Sequence, residues 1–258
     1  MKQFIALTKK EFFESHATYR VYILLAVFAI FGLMGPMMAL LMPVIFEMMA
    51  ADMAAMGMTL EIPEPTAQDA WTQFFSTFAQ MGTLALGIIF SGVMANDLNR
   101  GTLVNLLTMG LKRHTVILAK FFTATVLWTA AFLLAVGTAY MYTAFYFEMD
   151  TIAHVLLVFG APWLFGVFML ALLIFGGTLF GNFYGALAVC FGVFFALIAV
   201  NILPAANRFN PASLAGGTLS IIMGAGEAAD FIPAMFVCAG VIVLLIIVSI
   251  LAFNHKKL

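Results

Sequence analysis

Few side chains in this sequence carry chemistry, and their spacing argues against direct catalysis. The four histidines, His16, His114, His154 and His255, are scattered along the chain beside apolar runs. They read as interfacial anchors rather than ligands. Cys190 and Cys238 fall in different apolar runs at opposite depths. That is too far apart for a disulfide, and both read as packing residues. Nine methionines crowd positions 34–58. A soft thioether cluster could take Cu(I), but no His or Cys joins it and its spacing follows helical turns. Flexible apolar filler against a neighbouring helix or a substrate is the better reading. There is no G-x-x-x-x-G-K-[ST] phosphate loop, no H-E-x-x-H and no C-x-x-C pair. No catalytic residue, resident metal or cofactor is therefore expected in this chain, and it is not expected to be an enzyme.

The elements that could position any functional residue are almost wholly apolar. Six runs of roughly 20 or more residues lack Asp, Glu, Lys and Arg: 21–46, 71–95, 121–147, 155–181, 183–206 and 231–253. Each is long enough to cross a hydrocarbon layer of about 30 Å at about 1.5 Å per residue. With 64% hydrophobic and 9% charged residues, the polar surface is too small to coat a soluble domain. The expected fold class is all-α: a polytopic membrane protein with six transmembrane helices. The first run is too long for the roughly 7–15-residue core of a signal peptide, so it reads as a retained span.

The charges between the runs alternate in sign. Lys2, Lys9, Lys10, Arg20, Arg100, Lys112, Arg113, Lys120, Lys256 and Lys257 lie on the N-terminal segment, the second connection and the C-terminus. Glu47, Asp52, Glu61, Glu64, Asp69, Glu148, Asp150, Glu227 and Asp230 lie on the first, third and fifth connections, where Arg208 is the one base. The net charge of −1 conceals this separation. By the positive-inside rule both termini are expected in the cytoplasm.

Three segments stand apart from the spans. Residues 1–20 mix Phe4, Ile5, Phe12, Phe13 and Tyr19 with lysines, as a basic interfacial helix does, although Leu7 and Lys10 do not sort cleanly. Residues 96–120 form the one sizeable cytoplasmic connection. Leu103, Leu106, Leu107 and Leu111 recur there at helical spacing, and Gly110 is placed to stop a helix. Residues 204–232 return to apolar character between Pro204, Pro211 and Pro233 over a stretch too short to span. Short outer helices are expected there, with Pro211, Gly216 and Gly217 at an outer gate. Gly177, Gly181 and Gly185 stand four apart around a tight turn at Asn182. Close helix packing and loop geometry both account for that spacing.

Ion-coupled carriers and channels need buried charges or ordered polar groups at the midplane. The midplane here is expected to offer only Thr, Ser, Gln73, Gln80 and Asn201. A transporter built this way takes its energy from outside the chain and handles an apolar or amphipathic cargo. The cytoplasmic connection then narrows the class. It reads Asp97-Leu98-Asn99-Arg100-Gly101-Thr102-Leu103-Val104-Asn105-Leu106-Leu107, followed by Lys112-Arg113 and Ala119-Lys120. This resembles the ABC-2 type transporter permeases, whose loop reads approximately E-x-x-x-G-T-L-x-x-L-L-x-x-P-x-x-R and then G-K. Gly101, Thr102, Leu103, Leu106, Leu107, Arg113 and Lys120 match. Asp97 replaces the usual Glu, Gly110 the usual Pro, and Ala119 the usual Gly. Lys10-Glu11 resembles the Lys-Glu pair common at the family's N-terminus.

The resemblance implies one permease domain over 1–258, the membrane subunit of an ATP-driven exporter in a bacterial cytoplasmic membrane. It implies a second permease subunit, identical or not, and a separate ABC ATPase that binds ATP and Mg. The partners would then be protein and the lipid bilayer, not nucleic acid. The loop suits a coupling helix at the membrane surface: Asp97 and Arg100 as paired charges, Thr102 as a cap and the leucines as anchors, with Lys112 and Arg113 following. The haem-exporter type permease of cytochrome maturation has a comparable acidic–Gly–Thr/Ser–Leu loop. A membrane scaffold or channel without an ATPase is the competing reading from another class.

Overall fold

The computed structural model describes residues 2–54, 64–99, 101, 108, 110–148, 154–201, 207–223 and 226–256. Among these there is no strand, and six helices are long and apolar enough to cross a membrane. Helix α1 (Lys2–Ala17) precedes the spans. Thr18 and Tyr19 then turn the chain, Tyr19 taking a left-handed φ of 56°, into α2 (Arg20–Ala54). The helix runs through Pro36 and Pro43 and past the expected end of the first span. In a bilayer, neighbouring helices satisfy the carbonyls a proline leaves free, so proline need not end a helix there.

The second span is built from α3 (Ala67–Thr77), a single π-helical stretch over Phe78–Gly82, α4 (Thr83–Phe90) and α5 (Gly92–Asn99). Its start is a full capping box. Thr66 Oγ1 accepts from the Asp69 amide, while the Asp69 carboxylate accepts from the Thr66 amide at 2.9 Å. The remaining spans are α6 (Arg113–Tyr146), α7 (Val155–Phe180), α8 (Phe183–Val200) and α11 (Ile232–His255). Between α8 and α11, α9 (Ser213–Gly216), α10 (Thr218–Ile222) and a 3₁₀ turn at Ala228–Phe231 form the expected helical insertion.

The spans are not equivalent. Most of α7 is buried by its neighbours whereas most of α8 is exposed, so α7 is the central post and α8 stands at the periphery. Helix α7 contacts α6, α8, α11, the later part of span two and the insertion. The core is aromatic: Phe28, Phe78, Trp128 and Phe132 meet across three spans with ring centroids 5.3–5.8 Å apart. Such tilted and edge-on pairs add to the area they bury. Trp128 Nε1 donates to the Trp163 carbonyl at 3.0 Å, and Trp163 Nε1 to Thr129 Oγ1 at 3.0 Å, so both indoles are satisfied away from water.

The α7–α8 junction bears on both accounts of the glycine triplet. Gly181 sits in the left-handed region at φ 70°, and Asn182 caps α8 by accepting from the Gly185 amide at 2.6 Å. The helix is broken there, so the turn explains Gly181, while close packing also counts: a Cβ at Gly185 would overlap the Phe180 side chain, and one at Gly177 would press on Met94 of span two.

Helix α1, the end of span two, the start of α6 and the end of α11 share one end of the bundle, the termini face. The insertion lies at the opposite, far face, where Gln68 Nε2 donates to the Ile222 carbonyl at 2.5 Å.

Candidate functional site

At the termini face three charged side chains from three elements converge beneath the surface. Lys120 on α6 is 1% exposed, Asp97 on α5 is 2% exposed and Glu11 on α1 is 6% exposed. The Lys120 ammonium donates to both Glu11 carboxylate oxygens at 3.0 Å, to the Val93 carbonyl at 3.0 Å and to Asp97 Oδ2. An ammonium has three protons, and these three partner groups use them all. Lys10 closes the network from the surface side, 2.7 Å from Glu14, 3.3 Å from Glu11 and 3.5 Å from Asp97.

Sequence-local geometry places each member. The inward stripe of α1 is Leu7, Glu11 and Ser15, spaced i, i+4, i+8. Glu11 can sit on that stripe because α6 presents a cation to it. Partial burial works against the charge on Lys10, but its bond to Glu14 and the nearby charges of Glu11 and Asp97 outweigh this and raise its pKa above the ordinary lysine range. It stays charged at physiological pH. Carboxylate oxygens of Glu11, Glu14 and Asp97 lie within 4.8 Å of one another, a spacing that could hold a metal ion. Lys10, Lys120 and the neighbouring charge of Arg20 already balance those three anions, so the cluster fits a protein ion network better than a metal centre.

Two residues expected to face a partner are thereby turned inward. Asp97, expected to pair with Arg100 at the membrane surface, is instead buried against Lys120 and reached by Lys10. Arg113 reaches across to the end of α11. Its guanidinium donates to the carbonyls of Phe253, Asn254 and Lys256 at 2.5, 3.0 and 2.8 Å and lies over the Phe253 ring. It supplies the donors that the last turn of a helix lacks. Lys256 in turn donates to Thr178 and Leu179 carbonyls at the end of α7, and burial there lowers its pKa.

Of the remaining loop residues, Lys112 is exposed at the start of α6. Gly101 (φ 68°) and Gly110 (φ 86°) both adopt left-handed backbone that favours glycine. Gln3 on α1 donates to the Gly110 carbonyl at 3.2 Å, tying the N-terminal helix to the loop's end. Arg100, Thr102, Leu103, Leu106 and Leu107 lie outside the described residues.

At the far face the insertion is stapled by Asn210, which is 4% exposed. Its amide nitrogen donates to the Leu197 carbonyl and to Asn201 Oδ1, both at 2.6 Å, and its oxygen accepts from the Ala212 amide at 3.0 Å. Nothing in the sequence around Asn210 marks these partners. Pro211 is buried beside it. Gly217 fits because a Cβ would overlap the Phe231 ring, whereas Gly216 faces open space. Asn201, Arg208, Gly217, Ser220, Asp230 and Phe231 are among the walls of a cavity of about 550 Å³.

These features define a multi-pass membrane protein with a charged anchoring cluster at one face and a short helical insertion at the other. The chain matches no protein-family model. It is similar to the uncharacterized transmembrane protein YxlG of Bacillus subtilis (strain 168), at 26% identity over 235 residues, covering 90% of this chain and 89% of that protein.

Proposed function

We propose that this chain is the membrane subunit of an ABC-2 type ATP-driven exporter, pairing with a second permease subunit and driven by a separate ATPase. The single observation that carries the reading is the Glu11–Lys120–Asp97 network. These residues come from the N-terminal Lys-Glu pair, the acidic position before Gly-Thr-Leu, and the lysine after the loop. Residues separated by up to 109 positions meet in one buried cluster. The network clamps α1 to both ends of the 96–120 connection, so a push on that loop is delivered to spans two and three together.

Orientation follows from the same face. Lys2, Lys9, Lys10, Lys112, Arg113 and Lys120 gather at the termini face, which the positive-inside rule assigns to the cytoplasm, where an ATPase resides. The exposed Lys112 and the Arg100–Leu107 segment are the contact we assign to the ATPase. Asp97 acts from below as a positioning residue.

The test is purification of the tagged chain from its native membrane in mild detergent. The expected result is an ATP-hydrolysing subunit in stoichiometric amount, lost when Arg100 and Lys112 are both replaced by Glu while the permease still inserts. A chain that purifies without any ATP-hydrolysing subunit, wild-type and variant alike, supports the scaffold or channel reading instead.

A further inference from the structure

Polar side chains at mid-membrane depth need a polar neighbour, because hydrocarbon offers none. Span two carries Gln73, Ser76, Thr77 and Gln80 at three- and four-residue spacing, hence on one side of the helix. Gln80 is exposed on the surface of this chain, and the other three are partly exposed. Gln80 lies about 20 Å along the span from Ala67, within its middle third, at about 1.5 Å per residue. Its amide makes one side-chain bond among the described residues, to Ser76 Oγ at a long 3.4 Å. Gln73 makes none. The helix is π-helical over Phe78–Gly82, which includes Gln80, and single π turns recur at functional sites in helices.

The stripe has a direction. Toward the far face it continues into a cavity of about 240 Å³ lined in part by Asp69, Thr72 and Gln73. Toward the termini face the same surface turns apolar: Met81, Leu84 and Ile88 are 44–57% exposed. A track of amides and hydroxyls thus runs from the far face to the middle of the bilayer and stops at a hydrophobic stretch. The exposed surfaces of α2, α8 and α11 at the same depth carry no comparable polar row.

We infer that this side of span two lines a water-filled half-pathway open to the far face. Gln73, Ser76, Thr77 and Gln80 make polar contacts to a passing substrate, and Met81, Leu84 and Ile88 form the barrier below it. The substrate class that fits is amphipathic, with a hydrogen-bonding head that follows the amides and an apolar part that tolerates the methionine- and phenylalanine-rich wall of α2. The inference deepens the transport reading and rests on it for the word substrate. Water access itself does not depend on an ATPase.

The experiment is single-cysteine labelling of the full chain in lipid nanodiscs with a membrane-impermeant, charged methanethiosulfonate. Cys190 and Cys238 are buried, so wild-type protein supplies a low baseline. Thiols in water ionise far more readily than thiols against hydrocarbon, so Q73C, S76C, T77C and Q80C should label roughly ten-fold faster or more than L84C and I88C. L133C, on the exposed surface of α6, is the lipid-facing control and should stay at baseline. Size-exclusion chromatography of each variant verifies folding, and failure of one position leaves the other three to decide. The inference is overturned if all four polar positions label no faster than L133C. It is also overturned if oxidation links Q80C into covalent dimers without labelling, which would make the stripe a dry contact between two copies. Equal labelling at L84C and I88C would remove the barrier and with it the half-pathway. Loss of ATPase co-purification with labelling intact would count against the exporter and leave the pathway standing.

Discussion

Lys120 is the residue on which the termini face depends. Taking an ammonium and two carboxylates out of water is costly. The arrangement persists because every ammonium proton has an acceptor and the negative charge is shared with Lys10. The asymmetry is testable. Lys120→Met strands Glu11 and Asp97 without their buried cation and should cost about 3–5 kcal/mol, read as a drop in thermal unfolding midpoint in detergent. Adding Glu11→Gln and Asp97→Asn to the same protein should recover much of that loss, because the uncompensated charge is gone. A single variant as stable as wild type would show that the cluster is not buried as described. The residues themselves were legible, since Glu11, Asp97 and Lys120 all fall on positions that resemble the permease pattern, but their meeting was not: 86 and 109 positions separate Glu11 from the other two. Only the fold brings them together, and the i, i+4 stripe of Leu7, Glu11 and Ser15 was the one local signal pointing inward.

At the scale of elements, close approach is set by glycines facing particular neighbours. A Cβ at Gly32 on α2 would overlap Thr138 and the Ala135 carbonyl of α6, and one at Gly166 on α7 would overlap the Trp128 indole. The Ala135 carbonyl is backbone and cannot rotate away. Gly32→Ala is therefore expected to force α2 from α6 and to destabilise by about 1–3 kcal/mol. Gly240→Ala on α11 meets nothing within 4 Å and should be neutral or slightly stabilising. Equal midpoints for the two variants would contradict the α2–α6 packing. The helices themselves were largely visible as apolar runs, because 20 residues without charge have few other fates. Their ends were not. The proline-containing α2 continues to Ala54, and Asp97 and Lys120 lie inside helices because paired charges tolerate burial. The π turn left no composition signal at all.

For the whole molecule, hydropathy and charge alternation were enough to expect six spans, and six helices long and apolar enough to cross a membrane are present among the described residues. The helical insertion between α8 and α11 was legible from its bracketing prolines, while the asparagine that holds it was not. What the molecule does rests on the termini face, since the claim is that a separate ATPase meets this chain beside Lys112. The most direct measurement places a photo-crosslinking amino acid at position 112, with position 64 on the far face as control, in cells expressing the chain from its native locus. The account predicts an ATP-hydrolysing subunit crosslinked at 112 and nothing of the kind at 64, with yield changing when a non-hydrolysable ATP analogue is added to the isolated membranes. Crosslinks to an ATPase at 64 would invert the orientation, and their absence at both positions in an otherwise assembled protein would contradict the exporter.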